Sequence, residues 1–266
     1  MISKSLMALV ISCLVCGVAV SQTKKEVRSK LLKQVLAGSP DVRECVEKEE
    51  GGIRAAEENM TVEEVDLNRD GVVEYQVELS GPCVCGMVNC SIYVYRQTPE
   101  GYQSILEDAA GFGIQLLKTS TRGYTDLRVD ARDSAAAESQ TTYKFDGTRY
   151  REASSRVVNT RTGESKSASR RVEFNRGASA ATVQGRVSLE LSDTWIVGAR
   201  AGQTMTVQLN STRGSVRFML MTSRTTQSLA DNTRSWTGTL PDTDDYIILV
   251  ETGAKSATYS MTISIK

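Results

Sequence analysis

The chain has 266 residues, with 32 basic and 32 acidic side chains, a formal net charge of +0 and no histidine. Charge balance excludes the global field that would hold nucleic acid or an anionic membrane. The missing histidine excludes Ser-His-Asp and Cys-His catalysis and every histidine-ligated metal site.

Lys4, the apolar stretch from Leu6 to Val20 and the small residues Ala19 and Ser21 predict an export signal over residues 1–21, cut before Gln22. That stretch is too short for a membrane span, so no transmembrane segment is expected after the cut. A lipoprotein cut before Cys13 is the alternative, but it leaves a second apolar run behind the cut. The expected location is therefore the periplasm or the exterior.

Four cysteines remain after the cut: Cys45, Cys83, Cys85 and Cys90. In an exported chain they favour two disulfides. A direct Cys83–Cys85 bridge would strain the backbone. Two pairings stay open: Cys45–Cys83 with Cys85–Cys90, or Cys45–Cys85 with Cys83–Cys90. A four-thiolate zinc site is the rival use, which the compartment disfavours.

Lys24 to Leu36 reads as a helix, with Val27, Leu31, Leu32, Val35 and Leu36 on one face and basic residues opposite. A second short helix starts at Ser39-Pro40-Asp41, with Ser39 as cap and Val42, Cys45 and Val46 as its inner stripe. Residues 22–59 are read as a helical segment packed on the sheet that follows.

From Met60 the period becomes two. Residues 60–152 read as an antiparallel β-repeat domain in one sheet system. The run from Asp70 to Val77 aligns with the run from Arg122 to Val129, and each copy carries Gly and then an acid three residues later: Gly71 and Glu74, Gly123 and Asp126. Residues 153–171, rich in Ser, Thr and Arg, read as a linker. Residues 172–266 alternate cleanly. Met205, Val207 and Leu209 oppose Thr204, Thr206 and Gln208, the mark of antiparallel sheets packed face to face. Asp245 to Val250 is more continuously apolar and reads as a central strand buried on both sides. Trp195 and Trp236 are expected in the core. The fold class is mainly β: short N-terminal helices, a β-repeat domain and a C-terminal sandwich.

Asp66, Asn68, Asp70, Val72 and Glu74 form the candidate metal-ligand set. Their oxygen side chains stand at positions one, three, five and nine, and Gly71 at position six permits the tight turn a hard cation needs. The expected ion is calcium. Position twelve is Val77, which departs from an EF-hand, and the second repeat has lost most of the ligands. The plain alternative is a hairpin turn with solvated acids. Glu63-Glu64, Glu47 with Glu49-Glu50, and Asp242 with Asp244-Asp245 are the carboxylate pairs a glycoside hydrolase would require. None lies in a recognisable motif, so no catalytic residue is assigned.

The 66–74 turn resembles the Asp-rich turns of FG-GAP and VCBS-type β-repeats, which often hold calcium. Residues 172–266 resemble the bacterial pre-peptidase C-terminal domain through Gly185, Ala201-Gly202-Gln203, Trp236-Thr237-Gly238-Thr239-Leu240-Pro241, Asp245-Tyr246 and Ala257-Thr258-Tyr259. The Trp-x-Gly-x-Leu-Pro variant is similar to periplasmic inhibitors of goose-type lysozyme. The resemblance implies an exported, non-enzymatic β-sandwich that binds a protein or glycan partner in the cell envelope. Three functions remain: such a binding protein, a calcium-stabilised adhesion or carbohydrate-binding module, and a carboxylate-dependent hydrolase with an appended binding domain.

Overall fold

The computed structural model describes residues 11–266 apart from Glu190 and residues 213–214; the side chains of residues 11–23 and of Asp108 are not described. Residues 1–10 of the expected export signal, and the side chains of the rest of it, therefore lie outside the described residues. No described helix is long and apolar enough to cross a membrane. The chain divides into two compact units. The first comprises Met1–Arg132 and Lys144–Arg151, the second Asp133–Tyr143 and Glu152–Lys266.

In the first unit three helices, α1 (Ile11–Gly38), α2 (Pro40–Lys48) and α3 (Gly52–Glu58), precede a four-stranded antiparallel sheet. Its strands lie in chain order: β1 (Met60–Val65), β2 (Glu74–Leu79), β3 (Cys90–Thr98) and β4 (Gly101–Gly111). Leu31, Leu32, Val35 and Leu36 of α1 and Val46 of α2 are buried in one cluster with Met60, Tyr75, Val77, Leu79, Tyr93 and Tyr95. The 3.6-residue stripe of the helix thus covers one face of the sheet. Ser39 precedes α2 without a side-chain cap bond; its backbone carbonyl accepts from the Arg43 amide at 3.0 Å.

The cysteines form Cys45–Cys83 and Cys85–Cys90, which rules out the other pairing and the zinc site. Cys45–Cys83 ties α2 to the segment after β2 across 38 residues. A ring of that size restricts the unfolded chain by about 4 kcal/mol.

Strands β5 (Ile114–Thr121) and β6 (Tyr124–Ser134) form a hairpin closed by Arg122 and Gly123, both at positive φ, as a two-residue primed turn requires. The two sequence repeats do not share one sheet: β1–β4 stand alone, and β5 and β6 belong to a different sheet. Local hairpins repeat here, but the longer-range pairing does not.

Strands β7 (Ala137–Phe145) and β8 (Tyr150–Asn159) are divided between the two units. The second unit continues with β9 (Ser165–Arg171), β10 (Ala180–Val187), β11 (Asp193–Ala199), β12 (Thr204–Ser211), β13 (Val216–Thr222) and β14 (Ser228–Thr233). It ends with β15 (Ser235–Thr239), β16 (Asp244–Thr252) and β17 (Ala257–Ile265). It is a β-sandwich of the expected kind. One sheet runs β10-β17-β12-β15, and within this unit the other runs β14-β13-β16-β11-β9-β8-β7. Val207, Leu209, Phe218, Leu220, Ile248, Val250, Met261 and Ile263 meet between the sheets. Trp195 is buried there. Trp236 is partly buried and packs against the same core, where Gly238 leaves room for its ring.

The linker expected over 153–171 is instead structure. β8 and β9 pair antiparallel from Ser154↔Arg170 to Val158↔Ser165, and β9 pairs parallel with β11. The sandwich unit thus begins well before residue 172. The stretch has few apolar residues because its strands are held through the backbone and two arginines. Arg170 stacks over Trp195, 4.1 Å from the ring centroid, and bonds Asp193 at 2.7 Å. Arg171 reaches Asp245 with two bonds, at 2.9 and 2.6 Å.

Candidate functional site

β16 lies between β13 and β11, as its apolar run suggested, but it is not buried on both sides. Tyr246, Ile248 and Val250 point into the core, while Ile247 and Leu249 are only half-buried on the outer face. The register places Met221 beside Ile247 and Met219 beside Leu249. Both methionines are half-buried as well. An isolated sandwich presents polar side chains at such positions; this sheet presents a row of four large apolar ones. Arg217 and Glu251 stand opposite each other at one end, and Arg171 and Asp245 pair at the other. A hollow of about 410 Å³ opens on this face, lined by Arg217, Met219, Asp231, Leu249 and Glu251 among others. Unbranched, polarisable methionine adapts to partner surfaces, and an apolar patch with a charged rim is the usual composition of a protein-binding face.

The 66–74 loop has a closed arrangement. Asp66 Oδ1 accepts from the Arg69 amide at 2.7 Å, and its Oδ2 from the Gly71 amide at 3.0 Å. Asn68 Oδ1 accepts from the Asp70 amide, and Asp70 Oδ1 from the Val72 amide at 2.7 Å. Arg69 and Gly71 take positive φ, which gives the turn its tightness. Glu74 is buried, and its Oε2 accepts from the Leu67 amide at 2.8 Å. The loop thus brings Asp66, Asn68, Asp70, Val72 and Glu74 together along one turn. Hard oxygen donors of this kind fit calcium in type. Asp66, Asp70 and Glu74 do not stand as a trio within 4.8 Å of one another, so a bound ion would draw them inward.

Burial, with Asp70 and Asp66 adding repulsion, raises the Glu74 carboxyl above its ordinary value against the opposing bond from Leu67. The folded state therefore favours protonated Glu74. Its contribution to stability is full below the ordinary value of about 4.3 and declines as pH rises through the raised one. Glu74→Gln is expected to flatten that decline. Melting curves across pH 4–8 on both proteins check it, and parallel profiles would contradict it.

The candidate carboxylate pairs are exposed or engaged in other bonds. Glu63 and Glu64 are adjacent, exposed residues of β1 and so point to opposite faces. Asp245 is held by Arg171, and Asp244 Oδ2 accepts from the Arg224 amide at 3.1 Å. The acid group Glu47, Glu49 and Glu50 is exposed at the end of α2. Sequence reasoning missed the outer apolar row, although the alternation in β13 and β16 carried the signal.

No family model matches the chain, and no curated protein matches it. Among solved structures it is similar to the periplasmic inhibitor of g-type lysozyme from Aeromonas hydrophila, at 24% identity over 37% of this chain and 96% of that one, with a TM-score of 0.35. The Salmonella Typhimurium inhibitor of g-type lysozyme is 24% identical over 37% of this chain and 97% of its own, with a TM-score of 0.31. The pre-peptidase C-terminal domain of Bacillus anthracis collagenase is 15% identical over 37% and 94%, with a TM-score of 0.28.

Proposed function

We propose that the protein is an exported, non-enzymatic binding protein of the cell envelope, acting in the periplasm or outside the cell, whose ligand is another protein. Its specific form is inhibition of a goose-type lysozyme. The observation that carries the proposal is the half-buried row Met219, Met221, Ile247 and Leu249 on the outer face of the sandwich. Covering such a row removes apolar surface from water at about 25 cal/mol per Å². Two disulfides suit an oxidising compartment. The Trp236-to-Pro241 motif, with the Trp236 ring laid over Gly238, supports a sandwich of the inhibitor type.

Pairing Met219→Glu with Leu249→Glu is expected to weaken binding to goose-type lysozyme at least tenfold while the sandwich stays folded, because both side chains lie outside the core. Isothermal titration checks this; unchanged affinity would remove the outer face from the reading.

Calcium at the 66–74 loop is a second reading, favoured by the burial of Glu74 next to Asp66 and Asp70. Calcium would offset three carboxylates on one turn and stabilise the first unit. Millimolar calcium is expected to raise the first unit's melting temperature by several degrees over a chelated sample. Coincident melting curves would count against it.

A further inference from the structure

Asp126 is the repeat counterpart of Glu74, and it is buried as deeply, at 1% exposure against 3%. Glu74 has an amide partner; Asp126 Oδ1 has no hydrogen-bond partner. Among the described residues no lysine or arginine forms an ion pair with Asp66, Asp70, Glu74 or Asp126. A buried carboxylate oxygen without a donor or counter-charge costs free energy, and a fold retains one where something else compensates it.

β6 rests against the 66–74 loop through the Thr125 amide, which donates to the Leu67 carbonyl at 2.8 Å. Asn68 Nδ2 donates to the Tyr124 hydroxyl at 3.1 Å. Tyr124 and Asp126 are two apart on β6 and share a face, so Asp126 lies on the side of the strand that the loop covers. The Tyr150 hydroxyl donates to the Thr125 carbonyl at 2.7 Å.

We infer that Asp126 is a ligand, contributed from the second repeat, of the same hard-cation site as Asp66, Asp70 and Glu74. The site then spans both repeats, and the cation is a structural clamp between the 66–74 loop and β6. This rests on the calcium reading and extends it to a residue outside the loop. Calcium suits the site better than magnesium, because it accepts six to eight oxygens in adaptable geometry, whereas magnesium demands a near-ideal octahedron.

The test is calorimetric titration of the purified, air-oxidised full chain with calcium chloride, beside Asp126→Asn and the exposed control Asp41→Asn in α2. Wild type and control are expected to bind one calcium per chain. Asp126→Asn is expected to bind at least tenfold more weakly and to lose most of the calcium-dependent rise in melting temperature. In chelator, Asp126→Asn is expected to melt at or above wild type, because it removes an uncompensated buried charge; a merely structural aspartate would lower that temperature. Equal calcium affinity in wild type and Asp126→Asn would overturn the inference and leave the loop site standing. No calcium binding by wild type would overturn both.

Discussion

Gly185→Ala is expected to destabilise the sandwich by about 3–5 kcal/mol, combining an overpacked site with a broken buried hydrogen-bond network. Gly185 stands opposite Tyr259 in the β10–β17 pair. A β-carbon there would come within 2.5 Å of the Tyr259 hydroxyl and nearer still to Asp193 Oδ2. Those groups have nowhere to go. Trp195 Nε1 donates to the Tyr259 hydroxyl at 2.7 Å, that hydroxyl donates to Asp193 Oδ2 at 2.7 Å, and Arg170 holds Asp193 Oδ1. Burial keeps the Tyr259 phenol protonated at any ordinary pH, so it serves as both donor and acceptor. Urea denaturation followed by tryptophan fluorescence measures the effect. A loss below about 1 kcal/mol would mean that the network can shift aside, against its burial.

The second large effect is at Arg171, which reaches over β11 to Asp245 on β16. The crossing is possible because Gly198 lies beneath it: a β-carbon there would meet Asp245 Oδ1 at 3.1 Å and Arg171 Nη1 at 3.3 Å. Both partners are more than four-fifths buried. Arg171→Ala is expected to cost about 2–4 kcal/mol, because it removes the bidentate guanidinium from a buried carboxylate. The double-mutant cycle with Asp245→Ala is expected to give a coupling of about 2 kcal/mol. Chemical denaturation of the four proteins supplies it, and additive losses would mean that the pair is incidental. The same contact predicts that a fragment starting at residue 172 is markedly less stable than one retaining β9.

Arg170 and Arg171 also mark the limit of what the sequence made legible. The run from Ser165 to Arg171 has no apolar residue but Ala168, so no period-two stripe exists to announce a strand. Its stability comes from Trp195, Asp193 and Asp245, all distant in sequence, and only the fold brings them within reach. By contrast, β12 and β17 carry an unbroken alternation, and the structure buries Met205, Val207 and Leu209 of the one and Ala257, Tyr259, Met261 and Ile263 of the other. Cysteine chemistry narrowed the pairings to two; choosing between them required knowing that α2 lies beside residue 83. The continuous apolar run at Ile247 to Val250 was read as two-sided burial, because a sequence records which residues are apolar and not whether anything covers them. Asp126 was visible as the counterpart of Glu74, but its unpartnered burial depends on packing between the repeats.

The most direct test of the binding account is a titration of the purified, air-oxidised protein into goose-type, chicken-type and invertebrate-type lysozymes, followed by cell-wall lysis. The account predicts stoichiometric inhibition of the goose-type enzyme, relieved by the paired Met219→Glu and Leu249→Glu substitutions. Undiminished lysis by the goose-type enzyme at micromolar excess would contradict it.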